Sequence, residues 1–192
     1  MKHADPERPA TRRLFFALWP DELQRTALAH AIHKGVRACG GRAVPAHNLH
    51  ATLAFLGSVP EARIAELDGI ARLIAHSFPA PRPLHVTFDQ LEHWARPQIL
   101  VARGAEAADA GALAATLKDA TAAAGFSPDL KLFHAHVTVA RKVRHAPAPQ
   151  AMHAVHWELA AFALIDSRTH SDGPLYSVVA SYPLVNAEKA HE

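Results

Sequence analysis

Hydrophobic and polar positions along the chain fall into two rhythms, and their order predicts an α+β fold. An apolar run over residues 12–19, stopped by Pro20, reads as a buried strand. Asp21 opens a helix that continues to residue 38, with Leu23, Ala27, His30 and Ala31 near one face, and Gly40-Gly41 ends it. A period of two then runs over residues 49–56. Leu49, Ala51, Leu53 and Phe55 turn inward, His50 and Thr52 share the other face, and Gly57 closes the strand. Ile64, Leu67, Ile70, Ala71 and Ile74 recur at helical spacing and predict a helix over residues 60–76. Residues 78–83 hold three prolines and read as a linker. Strands follow at 84–94 and 98–103, then an Ala-rich helix at 105–124 closed by Gly125 and a turn at 127–129. Residues 132–141 form a second alternating strand, with Ala135, Val137 and Val139 inward and His136 and Thr138 opposite. After a proline-containing loop at 146–149, strands at 157–167 and 175–183 are joined by the turn-rich residues 168–174.

The two alternating strands carry one pattern: His50-Ala51-Thr52-Leu53 and His136-Val137-Thr138-Val139, 86 positions apart. Each follows a helix that ends in glycine. This predicts an internal duplication, with two pseudo-symmetric lobes of antiparallel sheet plus helices around a central cleft to which each lobe gives one motif strand. Residues 12–184 are expected to form this single bilobal domain, with residues 1–11 and 185–192 as tails.

Composition narrows the picture. The chain has 192 residues, enough for a substantial core, and its 49% hydrophobic and 20% charged content is that of a soluble globular protein. A net charge of +2 permits an anionic ligand, but no Lys/Arg run marks a long nucleic-acid track. The single Cys39 excludes an internal disulfide framework and fits a reducing compartment. The N-terminus is polar and does not read as a signal peptide, and no apolar run reaches the roughly 20 residues of a membrane span. A cytoplasmic protein is expected.

With 15 histidines and 8 threonines, chance predicts roughly 0.6 His-x-Thr triplets in a chain of this length. Three occur, the third being His85-Val86-Thr87. A single such triplet is ordinary strand sequence, since Thr is a good β former. Two brought side by side place two imidazoles and two hydroxyls in one cleft. Histidine can serve as base or as acid near neutrality. Threonine hydroxyls can donate to the non-bridging oxygens of a phosphate, where charge builds in the transition state.

The longer blocks around His50 and His136 resemble the two-histidine phosphoesterases. More specifically, they are similar to those of the RNA 2′,3′-cyclic phosphodiesterases, also called 2′–5′ RNA ligases. Asn48 to Gly57 (NLHATLAFLG) is similar to that family's first motif block and Phe133 to Arg141 (FHAHVTVAR) to its second. Arg13 to Leu18 resembles its first strand and Tyr176 to Leu184 its last. The chain departs from the family at Ala51, where a larger aliphatic residue is common, and at His134, where proline is. The resemblance implies hydrolysis of RNA 2′,3′-cyclic phosphate ends to 2′-phosphates without metal or cofactor, and the reverse reaction would join RNA ends. It assigns catalysis to His50 and His136, with His136 activating water and His50 protonating the 3′ oxygen. It makes Arg141 a phosphate-binding residue, although strict alternation from His136 puts Arg141 on the wrong face. Phe16 resembles a cleft residue on which a base stacks, and Tyr176 is a weaker candidate of that sort. His85 falls in a non-catalytic strand. The implied partner is RNA with cyclic phosphate ends, such as tRNA fragments, bound by a monomer with no membrane association.

Three other readings stay open on the residues alone. One is an RNA-binding module without turnover. Another is a phosphodiesterase for a small cyclic nucleotide or an ADP-ribose cyclic phosphate. The third is a metal site built on His134 and His136, which needs at least one more ligand. Arg168 is a candidate RNA contact in a loop, and His30, His33, His76, His145, His153 and His156 read as solvated surface residues.

Overall fold

The computed structural model describes residues 10–79, 83–104, 107–171 and 173–184. Among these, nine strands and three α-helices are found. They are β1 (Thr11–Leu18), α1 (Glu22–Ala38), β2 (Arg42–Ala43), β3 (Ala51–Pro60), α2 (Ile64–Ser77), β4 (Leu84–Trp94), β5 (Ile99–Gly104), α3 (Ala108–Ala123), β6 (His136–Arg141), β7 (Gln150–Leu159), β8 (Ala161–His170) and β9 (Gly173–Pro183).

The strands form two antiparallel sheets, ordered β3-β1-β8-β9 and β2-β6-β5-β4-β7. The α+β reading with one motif strand per sheet therefore stands, and the motif strands β3 and β6 meet at the cleft. A strand, a helix and an antiparallel motif strand recur as β1-α1-β3 and β5-α3-β6. The halves are interleaved, however. The C-terminal hairpin β8-β9 completes the first sheet, and α1 packs on β7 and β6 of the second. Trp157 of β7 anchors that helix, fully buried, with its indole N–H on the Gln24 carbonyl at 3.3 Å and its ring 4.7 Å from that of Phe88. One continuous apolar core joins Phe16 and Leu53 of the first sheet to Phe88 and Trp157 of the second.

Several sequence-based boundaries shift. The apolar face of α1 is Leu28, Ile32 and Gly35, whereas Leu23 is 82% exposed. Spacings of four and three residues make Leu28, Ile32 and Gly35 one stripe, and that stripe meets the second sheet. Asp21 is outside the helix and caps it, its carboxylate accepting from the Gln24 N–H at 2.8 Å. The strand predicted at 157–167 is two strands in different sheets, divided at Ala160, whose carbonyl is held by the Leu184 N–H at 2.9 Å. No Gly or Pro marks that corner, so it left no sequence signal. Thr11 pairs with Pro60 in β1 rather than belonging to a tail. Residues 1–9 and 185–192, and residues 80–82 of the proline linker, lie outside the described residues.

Both motif strands carry a β-bulge one position after the threonine. Ala17 pairs with Thr52 and Phe16 with Ala54, so Leu53 is the extra residue. Val101 pairs with Thr138 and Leu100 with Ala140, so Val139 is the extra residue. An extra residue resets the alternation of faces. Leu53 and Ala54 are both buried, as are Val139 and Ala140.

Candidate active site

His50 lies immediately before β3 and His136 is the first residue of β6. Each ring is held in the same way. The Nδ1 of His50 is 2.7 Å from the Asn48 carbonyl, and the Nδ1 of His136 is 2.7 Å from the His134 carbonyl. A carbonyl oxygen only accepts, so Nδ1 carries the proton in both, and Nε2 of each neutral ring keeps its lone pair. Asn48 is itself fixed, buried, with its amide nitrogen donating to the Pro174 carbonyl at 3.1 Å. Aromatic rings complete the support. Phe15, Tyr176 and Trp19 lie 5.0, 5.1 and 5.6 Å from the His50 ring, and Trp94 lies 4.6 Å from that of His136.

This packing has an electrostatic consequence. Burial pushes the His50 pKa down from 6.5 to about 4; its carbonyl bond opposes the shift, and the charges of Arg141, His136 and Arg25 add to it. His136 is also lowered by burial; its bond to the His134 carbonyl opposes the shift, and the charge of the His134 ring adds to it. Arg25 donates from Nε to the Leu49 carbonyl at 3.2 Å and stacks over Trp19 at 4.5 Å, so it stands behind the His50 ring. Burial lowers its own pKa.

A cavity of about 510 Å³ opens between the sheets, bordered by Phe15, His50, Thr52, Thr138, Arg141 and Tyr176. It adjoins a second of about 560 Å³, bordered by His136 and Trp94. Thr52 and Phe55 line both. The four motif side chains thus border one continuous cleft. A phosphate-sized anion there meets two imidazoles, two hydroxyls and a guanidinium.

The bulges decide which neighbours join them. Val139 is inserted between Thr138 and Ala140, so Arg141 returns to the threonine face despite the parity of its number. The same reset after Thr52 turns Phe55 toward the cleft, where strict alternation put it in the core. Phe16 is corrected in the other direction. It is fully buried against Phe162 and Tyr182 and offers no face to a ligand, whereas Phe15 touches His50. Tyr176 stands at the cleft as the sequence suggested. Arg168 lies on β8, not in a loop, and its Nε donates to Asp166 at 3.1 Å beside Arg12. The third triplet is turned to the outer face of β4. His85 faces Glu158 at 3.9 Å, and Thr87 bonds the His156 ring at 2.8 Å. Sequence reasoning missed Phe15, Trp19, Arg25 and Trp94, whose residue types carry no motif. Among the described residues no three of His, Cys, Asp or Glu are grouped to hold a metal ion. No helix among them is long and apolar enough to cross a membrane.

The site can be set beside known proteins. The profile of the 2′-5′ RNA ligase superfamily matches residues 19–170, most of the chain and both motif strands. The chain belongs to the 2′-5′ RNA ligase superfamily. Within it, an RNA 2′,3′-cyclic phosphodiesterase of Thermus thermophilus is 29% identical over 181 residues, covering 90% of each chain. The crystal structure of E. coli LigT complexed with 3′-AMP superposes with a TM-score of 0.80 at 25% identity, over 92% of this chain and all of that one. A crystal structure from Thermus thermophilus gives 0.73 at 29% identity, over 90% of this chain and 97% of that one. The resemblance drawn from the blocks at His50 and His136 therefore holds along nearly the whole fold.

Proposed function

We propose that this superfamily member hydrolyses RNA 2′,3′-cyclic phosphate ends to 2′-phosphates by paired histidine acid–base catalysis without a metal. The observation that carries this reading is the matched pair of histidines, each with Nδ1 on a backbone carbonyl and Nε2 left for chemistry. Water attacks phosphorus in line, and its proton passes to Nε2 of His136. The bond from phosphorus to the 3′ oxygen breaks, and that oxygen takes the proton of His50. Thr52, Thr138 and Arg141 hold the non-bridging oxygens, which gather negative charge as the fifth bond forms. The same steps with an RNA 5′-hydroxyl in place of water join the two ends: the 5′ oxygen bonds phosphorus, its proton passes to His136, and the departing 3′ oxygen takes the proton of His50, leaving a 2′–5′ linkage.

The test is an oligoribonucleotide ending in a 2′,3′-cyclic phosphate, offered with a chelator present. The expected product is the 2′-phosphate at an undiminished rate. Binding without turnover points to an RNA-binding module, and loss of activity with the chelator overturns the metal-free route.

The ionisation of the pair predicts a pH profile. Turnover needs one ring protonated and the other free. That state is most populated between the two pKa values, and both lie below 6.5 in the free enzyme. The profile of kcat/KM is therefore expected to peak below pH 6.5 and to fall as pH rises through neutrality. Bound phosphate, an anion, favours both imidazolium forms, so the kcat profile is displaced upward. A kcat/KM optimum above about pH 7 contradicts this.

A further inference from the structure

We propose that the larger cavity, on the His136 side, is a track for single-stranded RNA, carrying the nucleotides 5′ to the cyclic phosphate past Phe55, Trp94 and Phe133 to Lys118 and Lys131. The proposal rests on the reading that the cleft takes an RNA end, and it adds where the rest of that RNA lies. Three observations support it. First, the space continues. The cavity of about 560 Å³ opens from the central one through Thr52 and Phe55, and it runs on through Lys118 and Lys131 into a further cavity of about 390 Å³. On the other side of His50 the adjoining cavity is only about 200 Å³. A terminal ribose with its cyclic phosphate occupies the centre and leaves the outer cavities to the next nucleotides.

Second, the lining alternates in the way a single strand requires. Phe55, Trp94 and Phe133 bring aromatic rings to the lining, Phe55 with the Arg13 guanidinium over one face, and Arg96, Lys118 and Lys131 bring positive charge, against two carboxylates, Asp129 and, in the outer cavity, Asp119. Base stacking joined to backbone neutralisation is the general means of holding single strands regardless of sequence. Asp129 is already engaged, its Oδ1 accepting the Lys131 N–H at 3.0 Å and its Oδ2 lying 3.8 Å from the Lys131 ammonium. Third, the wall bearing Lys131 exposes apolar side chains at the mouth. Leu130 is 71% exposed and Leu132 84%. This wall is held in place, since the Asp129 N–H donates to the Phe55 carbonyl at 2.9 Å and Lys118 donates to the Lys131 carbonyl.

The test compares uridine 2′,3′-cyclic phosphate with a fluorescein-labelled uridine tetranucleotide ending in the same group. In the wild type, kcat/KM for the tetranucleotide is expected to exceed that for the mononucleotide and to fall more steeply with salt. In the double variant Lys118→Gln, Lys131→Gln, the tetranucleotide value drops about tenfold and its log–log salt slope shrinks by about 1.4, as for two lost phosphate contacts on a single strand. The mononucleotide value stays within about twofold, since it makes no backbone contact on the track. Equal losses for both substrates, or no loss for either, overturn the track. Equal salt slopes for the two substrates in the wild type overturn it without any variant. If neither substrate turns over, the catalytic reading has failed, and fluorescence anisotropy of the tetranucleotide then decides the track alone. Tighter binding by the wild type than by the double variant supports it, and equal binding overturns it.

Discussion

His50→Ala and His136→Ala are each expected to lower turnover of a 2′,3′-cyclic phosphate end by about 10²–10⁴-fold, the usual span for a positioned acid or base. Both rings are half-buried at the cleft and bond only backbone carbonyls, so the melting temperature should move little. The double variant should be scarcely worse than either single one, because two groups that serve one transition state act as a unit. Their roles separate with a different leaving group. A phosphodiester that expels 4-nitrophenolate needs no proton on departure. His50→Ala should recover much of its rate on such a substrate, and His136→Ala should not. Single-turnover rates on both substrates decide the point. Either variant retaining activity within about tenfold of wild type on the cyclic phosphate sinks the paired mechanism.

Phe16→Ala is expected to cost about 3–5 kcal/mol of stability, the range for truncating a fully buried aromatic. Phe16 has no exposed surface and packs edge-on against Phe162 and Tyr182, 5.9 and 6.2 Å away, in a part of the core that ties β1 to β8 and β9. Urea unfolding followed by tryptophan fluorescence measures the loss, while activity per folded molecule should hold. Phe15→Ala should behave differently, since its ring braces His50 at 5.0 Å. Turnover by the folded fraction should fall there. A Phe16→Ala protein that is stable but poorly active would restore Phe16 to the cleft.

The contrast between these neighbours shows how far sequence could be read. The paired motifs were legible because the period-two pattern and the half-chain spacing are local signals. Helix α2 was legible for the same reason, with Leu67, Ala71 and Ile74 buried at helical spacing. Face assignments beyond each threonine were not legible. A bulge adds one residue to one strand only, and it exists through the partner strand's register. Hence Phe55 and Arg141 were both put on the wrong face by simple counting. The corner at Ala160 was hidden similarly, because tertiary pairing rather than a turn residue sends β7 and β8 into different sheets. The aromatic and cationic surroundings of the histidines come from β1, α1, β4 and β9, elements that no local window joins.

The interleaving of the two halves fixes how the cleft can behave. The chain passes from one sheet to the other four times among the described strands. Two lobes hinged at a single crossing could swing apart, but lobes laced at four and joined by one continuous apolar core cannot do so without exposing that core to water. The distance between the two imidazoles is therefore set when the protein folds and need not be regained at each turnover. Under the proposed mechanism, catalysis begins with little reorganisation. The cost falls on folding, where β1 must pair with β8, Leu14 opposite Asp166, 152 positions away in the chain. Such distant pairings slow the search for the native state. A preset pair of imidazoles and a long-range route to the fold are two results of one topology.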